Sequence, residues 1–195
     1  MQKPLKSFVW LDFFAVVLVW FLPFWGNAQP VFSAIWQELL LANGAKSSFT
    51  TSDWTHFTDS TTVLHLATEK TGVKKLDITP LLAFKNLRRL YFSASSNSND
   101  ALILQHEQAV LAQLAKLEVL ELPFTSVKTL KFAAKLVALR RLNIANTAIR
   151  SLQPLIGLRE LEVVLCMETK INRGDVSKIS PKLAKNCRII RDYVE

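Results

Sequence analysis

Leu139 to Val163 reads LRRLNIANTAIRSLQPLIGLRELEV, and its internal repetition decides the fold. The block Leu139-x-x-Leu142-x-Ile144 recurs as Leu158-x-x-Leu161-x-Val163. Upstream it recurs as Leu117-x-x-Leu120-x-Leu122, as Leu87-x-x-Leu90-x-Phe92, and more weakly as Thr61-x-x-Leu64-x-Leu66. The starts fall at 61, 87, 117, 139 and 158, in steps of 26, 30, 22 and 19 residues. Within each block the apolar positions 4 and 6 alternate with other residues at 3, 5 and 7, which is the period of a strand with one buried face. Position 9 holds a residue able to bond locally: Ser95, Thr125, Thr147 and Cys166. Val127 and Ile149 then turn back inward, and Pro80-Leu81 and Pro154-Leu155 open the return segments. One such unit cannot enclose a core. Stacked units share one, with each strand parallel to the next.

Five copies in series resemble the leucine-rich repeat, L-x-x-L-x-L-x-x-[NTC]-x-[LI], from Thr61 to the C-terminus. The resemblance implies an α/β fold, a leucine-rich repeat solenoid whose curved parallel sheet is closed by N- and C-terminal helical caps. Strands are expected at 63–66, 89–92, 119–122, 141–144 and 160–163, with Leu90, Leu120, Leu142 and Leu161 in one buried column. The last stretch, through Val176, Ile179 and Leu183 to Asn186-Cys187-Arg188-Ile189-Ile190, resembles the closing unit of bacterial members of the family. Such a scaffold does not by itself name a ligand.

Residues 1–28 stand apart from the repeats. Lys3 and Lys6 precede the apolar run FFAVVLVWFL at 13–22, Pro23 breaks it, and Gly26-Asn27-Ala28 places small residues at −3 and −1 of a cleavage after Ala28. That is the order of a secretory signal peptide. The competing reading is an uncleaved membrane anchor over residues 7–25, ~28 Å of helix. Trp25 suits an interfacial position, whereas Asp12 costs a few kcal/mol in hydrocarbon unless it is paired or shallow. Both readings keep the lysines inside and export the rest, to a periplasmic or extracellular location.

Residues 29–60 form an N-terminal cap in this reading, and 61–195 form the repeat domain with its C-terminal cap. Pro30 to Asn43 has the apolar spacing of an amphipathic helix, with Gly44 suited to leaving it. It covers the open end of the core or lies on a membrane surface. Ala45 to Thr62 reads as a Ser/Thr-rich loop with one short helical turn. In the second repeat, Ser93 to Asn99 is a polar loop, either a spacer or a binding loop, and Asp100 caps a helix expected from Ala101 to Lys116. Cys166 and Cys187 are too few for a disulfide framework and are expected to be buried and unbridged.

The formal net charge is +8, and Lys170 to Arg191 contributes seven basic residues to it against Asp175 alone. A nucleic-acid binder interleaves such charge with stacking aromatics. Here all five tryptophans lie in the first 54 residues, so no nucleic-acid partner is expected. His56 near Asp53 and Asp59 lacks metal-ligand spacing. With five glycines and no phosphate loop, no Cys-x-x-Cys and no His-Glu-x-x-His, the chain shows no catalytic motif. A non-enzyme is expected, with no cofactor and no small-molecule substrate.

Function is expected on the concave sheet. Position 3 is read as Val63, Arg89, Val119, Arg141, Glu160; position 5 as His65, Tyr91, Glu121, Asn143, Glu162; position 7 as Ala67, Ser93, Pro123, Ala145, Val164. The candidate contacts for a protein partner are Arg89, Tyr91, Glu121, Arg141, Asn143 and Glu162. The bland reading is charge pairing across strands that keeps the sheet soluble. The alternative function is a structural accessory subunit of a membrane complex, held by the N-terminal segment. N-terminal mass spectrometry of protein from its host separates the two versions. Cleavage leaves Gln29 first, whereas retention of Met1 together with resistance to a carbonate wash leaves only the anchor.

Overall fold

The computed structural model describes residues 32–94 and 101–192. The segment 1–28 and most of the Ser93–Asn99 loop lie outside the described residues. No helix among the described residues is long and apolar enough to cross a membrane.

Six short strands make one parallel sheet: β1 (Val63–Ala67), β3 (Arg89–Ser93), β5 (Val119–Glu121), β6 (Arg141–Asn143), β7 (Val163–Leu165) and β8 (Arg188–Ile190), each beside the next in chain order. β2 (Lys75–Asp77) and β4 (Ile103–Gln105) form a second, two-stranded parallel sheet. Most return segments are 3-10 turns; Thr79–Ala83 and Gln153–Leu155 each carry the proline read from the sequence as their second residue. The core is one column of stacked side chains. Leu64, Leu90, Leu120 and Leu142 are in register across four strands and each is fully buried. Val164 and Ile189 continue the column in β7 and β8.

This register corrects the fifth repeat. Leu142 pairs with Val164 rather than with Leu161, so the unit starts at Leu161 and the strand lies three residues beyond 160–163. The starts become 61, 87, 117, 139 and 161, and the last two steps are then both 22 residues. The error has a simple cause. The four units after the first each carry a further buried apolar residue three positions before their start: Phe84, Leu114, Leu136 and Leu158. The start residue closes a tight turn on it, as in Leu139 N to Leu136 O at 2.9 Å and Leu161 N to Leu158 O at 3.4 Å. Leu158 is therefore the counterpart of Leu136, and Leu158-x-x-Leu161-x-Val163 imitates the block one turn early.

Two backbone signatures fix the corrected frame. Position 8 is left-handed in three successive units, with φ of 55° at Phe124, 56° at Asn146 and 52° at Glu168. The position 9 threonine then donates its hydroxyl to the position 6 carbonyl: Thr125 to Leu122 at 2.8 Å, Thr147 to Ile144 at 2.7 Å, Thr169 to Cys166 at 2.8 Å. Cys166 is thus a core residue at position 6, not the position 9 residue. Cys166 and Cys187 are unbridged, but Cys187 is half-buried rather than buried.

Elsewhere local chemistry overrides the helical expectations. Ala101 to Lys116 is not one helix. Leu102 and Leu104 are buried around the exposed Ile103, a period of two that places β4 beside β2, and only Glu107–Leu111 forms a helix (α3). The helix read from Pro30 instead starts after Ser33, whose hydroxyl accepts from the Trp36 amide, and runs Ala34–Leu41 (α1). Gly44 leaves it at φ +93°. The Ser/Thr-rich stretch holds a full helix, Thr51–Ser60 (α2), because Thr50 and Asp53 form a reciprocal capping box. The Thr50 hydroxyl, donating to the Asp53 carboxylate at 2.7 Å, and the Thr50 N–H, donating at 2.8 Å, hold that carboxyl below its usual range. The C-terminal cap carries Arg173–Ile179 (α4), followed by β8, a sixth strand absent from the expected five.

α1 and α2 close the first end of the core. Phe32, Trp54, Phe49, Phe57 and Phe84 form a chain of rings with neighbouring centroids 5.0–6.2 Å apart. The Trp36 indole donates to the Asp77 carbonyl at 2.7 Å. Among the described residues, the Asn43 side chain bonds the edge of the sheet. The Asn43 amide accepts from His65 N–H at 2.8 Å and donates to His65 C=O at 2.9 Å, and so supplies the bonds of a neighbouring strand.

Leu142→Ala should cost ~2–5 kcal/mol in chemical denaturation, since it opens a cavity between stacked units. Glu168→Asn should stabilise by about 0.5–1 kcal/mol in the same assay, because asparagine tolerates the left-handed conformation that glutamate is forced into. No gain, or a loss, at position 168 contradicts the corrected frame.

Candidate functional site

Alternation sends position 4 into the core in all six strands, and position 6 in the first five, while positions 3 and 5 take the opposite face. In the observed register position 3 reads Val63, Arg89, Val119, Arg141, Val163, Arg188. Position 5 reads His65, Tyr91, Glu121, Asn143, Leu165, Ile190. Five of the six expected contact residues, Arg89, Tyr91, Glu121, Arg141 and Asn143, share this surface. Glu160, Glu162 and Val164 leave the columns in which the sequence placed them. Val164 is fully buried in the core column, and Glu162 precedes β7 at position 2. The three-residue slip explains all three.

Several of these side chains are held in place. The His65 and Tyr91 rings stack with centroids 4.4 Å apart and planes 6° from parallel, so Tyr91 is half-buried and presents a fixed edge. Arg141 Nε lies 3.2 Å from a Glu121 carboxylate oxygen. The Asn143 side chain accepts from the Ala145 amide at 3.0 Å. Arg89 and Arg188 are exposed, and neither guanidinium has a partner among the described residues.

Position 2 forms a separate ladder of alternating charge: Arg88, Glu118, Arg140, Glu162. Arg88 is bonded to Glu118 and Arg140 to Glu162, the latter also through Arg140 Nε at 2.9 Å. The Glu162 carboxylate raises the Arg140 guanidinium above its already high value, with Glu118 adding to the effect. The cross-strand charge pairing read from the sequence thus exists, mainly one position earlier than expected. Exposed pairs of this kind add little to stability.

The sequence reading missed Val163, Leu165, Arg188 and Ile190. The first two were shifted by the slip. β8 was readable through Leu183, the counterpart of Leu158, and through Pro181 in the 3-10 turn Ser180–Lys182, which matches the prolines of Thr79–Ala83 and Gln153–Leu155. Neither cysteine has the environment of a nucleophile. Burial pushes the Cys166 thiol up to about 11 and raises that of Cys187. An activated cysteine is shifted the other way. Among the described residues no group of His, Cys, Asp and Glu could hold a metal ion.

This geometry is that of a leucine-rich repeat solenoid. No protein-family model matches the chain, and no curated protein does. Among solved structures it is similar to an internalin (inlF) of Listeria monocytogenes, at 17% identity and a TM-score of 0.56, over 80% of this chain and 50% of that one. The chain therefore spans about half the length of that internalin. A leucine-rich repeat protein of Leptospira interrogans matches at 20% identity, with a TM-score of 0.47, over 58% of this chain and 27% of its own. Internalin C2 of Listeria monocytogenes matches at 20% identity, with a TM-score of 0.37, over 78% of this chain and 83% of its own. The chain has the leucine-rich repeat fold.

Proposed function

We propose that this chain is an exported protein-interaction module of a bacterium that binds a protein partner on the face formed by positions 3 and 5. Arg89, Tyr91, Glu121, Arg141 and Asn143 are the contacts, and Glu162, tied to Arg140, borders them. The observation that carries the reading is the His65–Tyr91 stack beside the arginine column. It is a rigid aromatic edge among arginines, on a sheet whose other face is fully used by the core. Tyrosine and arginine are the residues that most often dominate interface energy, and a side chain already ordered loses little entropy on binding. No catalytic group is needed for this role, and neither cysteine is activated for one.

The second reading is an accessory subunit of a membrane complex, held through residues 7–25. It rests on the nineteen-residue run from Ser7 to Trp25, interrupted only by Asp12 and Pro23. A retained anchor leaves the contact face as described and adds a second attachment.

Crosslinking in the native host identifies the partner, and variants are then measured against it. Tyr91→Ala should weaken binding by ~1–2 kcal/mol and cost the fold little. Arg141→Glu should chiefly slow association with an acidic partner, in a salt-dependent way. Unchanged binding in both, with loss of binding on substitution of the basic residues in α4, would move the interaction to the cap.

A further inference from the structure

The position 3 column alternates without exception across the six strands: Val63, Arg89, Val119, Arg141, Val163, Arg188. Three features of it bear on what it binds. Arg89, Arg141 and Arg188 are each two strands apart, about 9.6 Å at the backbone. Val119 and Val163, half-buried, fill the gaps with apolar surface. The positive charge is left uncompensated at both ends of the row. Glu121 bonds Arg141 in the middle, while Arg89 and Arg188 have no partner among the described residues.

An arginine in a structural ladder stands beside a carboxylate, as Arg88 and Arg140 do in the neighbouring position 2 column. The position 3 column has valine in those places. The two columns sit side by side on the same strands, so the contrast is internal to the sheet.

The spacing selects a ligand backbone. A polyproline II segment has three residues per turn and rises ~3.1 Å per residue, so residues i, i+3 and i+6 lie on one face ~9.3 Å apart. A β-strand presents every second residue on one face, ~6.6 Å apart, and falls out of step with the arginines. An α-helix returns to the same face after seven residues, ~10.5 Å, and misses the third arginine by ~2 Å. We infer that the position 3 column binds an acidic segment of a protein partner in the extended polyproline II form, lying across the strands with a carboxylate at every third residue. The outer carboxylates take Arg89 and Arg188 in two-pronged hydrogen bonds. The central one competes with Glu121 for Arg141. The residues between them rest on Val119 and Val163. This assignment rests on the binding face proposed above and gives its partner a chemistry.

The test uses the full-length chain in mild detergent and a fluorescent peptide of repeated Asp-Pro-Pro triplets, with anisotropy as the readout. The control peptide has the same composition with its aspartates clustered at one end. The triplet peptide should bind at least about tenfold more tightly than the clustered one, and Arg89→Ser with Arg188→Ser should abolish that difference. Val119→Lys should not substitute for either arginine. Equal affinity for the two peptides, or equal competition by a sulfated polysaccharide and the triplet peptide, overturns the inference, because the column would then be an unspecific anion surface. Photocrosslinking from position 91 in the host runs in parallel. A crosslinked partner without triplet binding sinks the acidic-segment assignment and leaves the binding face standing. Failure of both removes the two together.

Discussion

The strands of this sheet depend on one core side chain meeting its counterpart in the next unit, fully buried in all but the last. Leu64, Leu90, Leu120, Leu142, Val164 and Ile189 form that column. A strand of three residues has too few hydrogen bonds to hold itself. It persists because its position 4 side chain is enclosed by the units on either side. The tight turn before each start and the threonine bond after each strand aim the chain in and out of the column. The exposed face follows from the same constraint. Once positions 4 and 6 are committed to the core, positions 3 and 5 project outward in rows as regular as the column behind them.

Much of this was legible because the repeat is a pattern of burial, and burial is written in residue type. The leucines at 90, 120 and 142, the return prolines and the strands built on them follow from apolar spacing alone. The fifth unit did not, because Leu158 and Leu161 satisfy the same spacing in two frames. Thr169 was the available arbiter: it stands at position 9 only if the unit starts at Leu161, and then matches Thr125 and Thr147. The candidate surface inherited this error in proportion. Its members on β3, β5 and β6 stand where they were read, while Glu160 and Glu162 gave way to Val163 and Leu165.

Other features were invisible for a different reason. The pairing of β4 with β2 depends on contacts between residues nearly thirty positions apart, and α2 depends on a two-bond cap between Thr50 and Asp53. Amphipathic periodicity registers neither. The alternation of valine and arginine across the strands appears only when the register is correct, since one slipped unit puts Glu160 in the row and breaks it.

The amide of Asn43 against His65 has a consequence for assembly. A stack of parallel strands has a head and a tail that differ, so any molecule could in principle extend the next, and such a contact does not close on itself. Growth of that kind needs both ends at every joint. Closing the head alone is therefore enough to forbid a fibre, while a single pairing of two tails, related by a twofold axis, stays geometrically allowed. The helical cap, with Asn43 at its rim, thus limits a molecule built from repetition to a finite length.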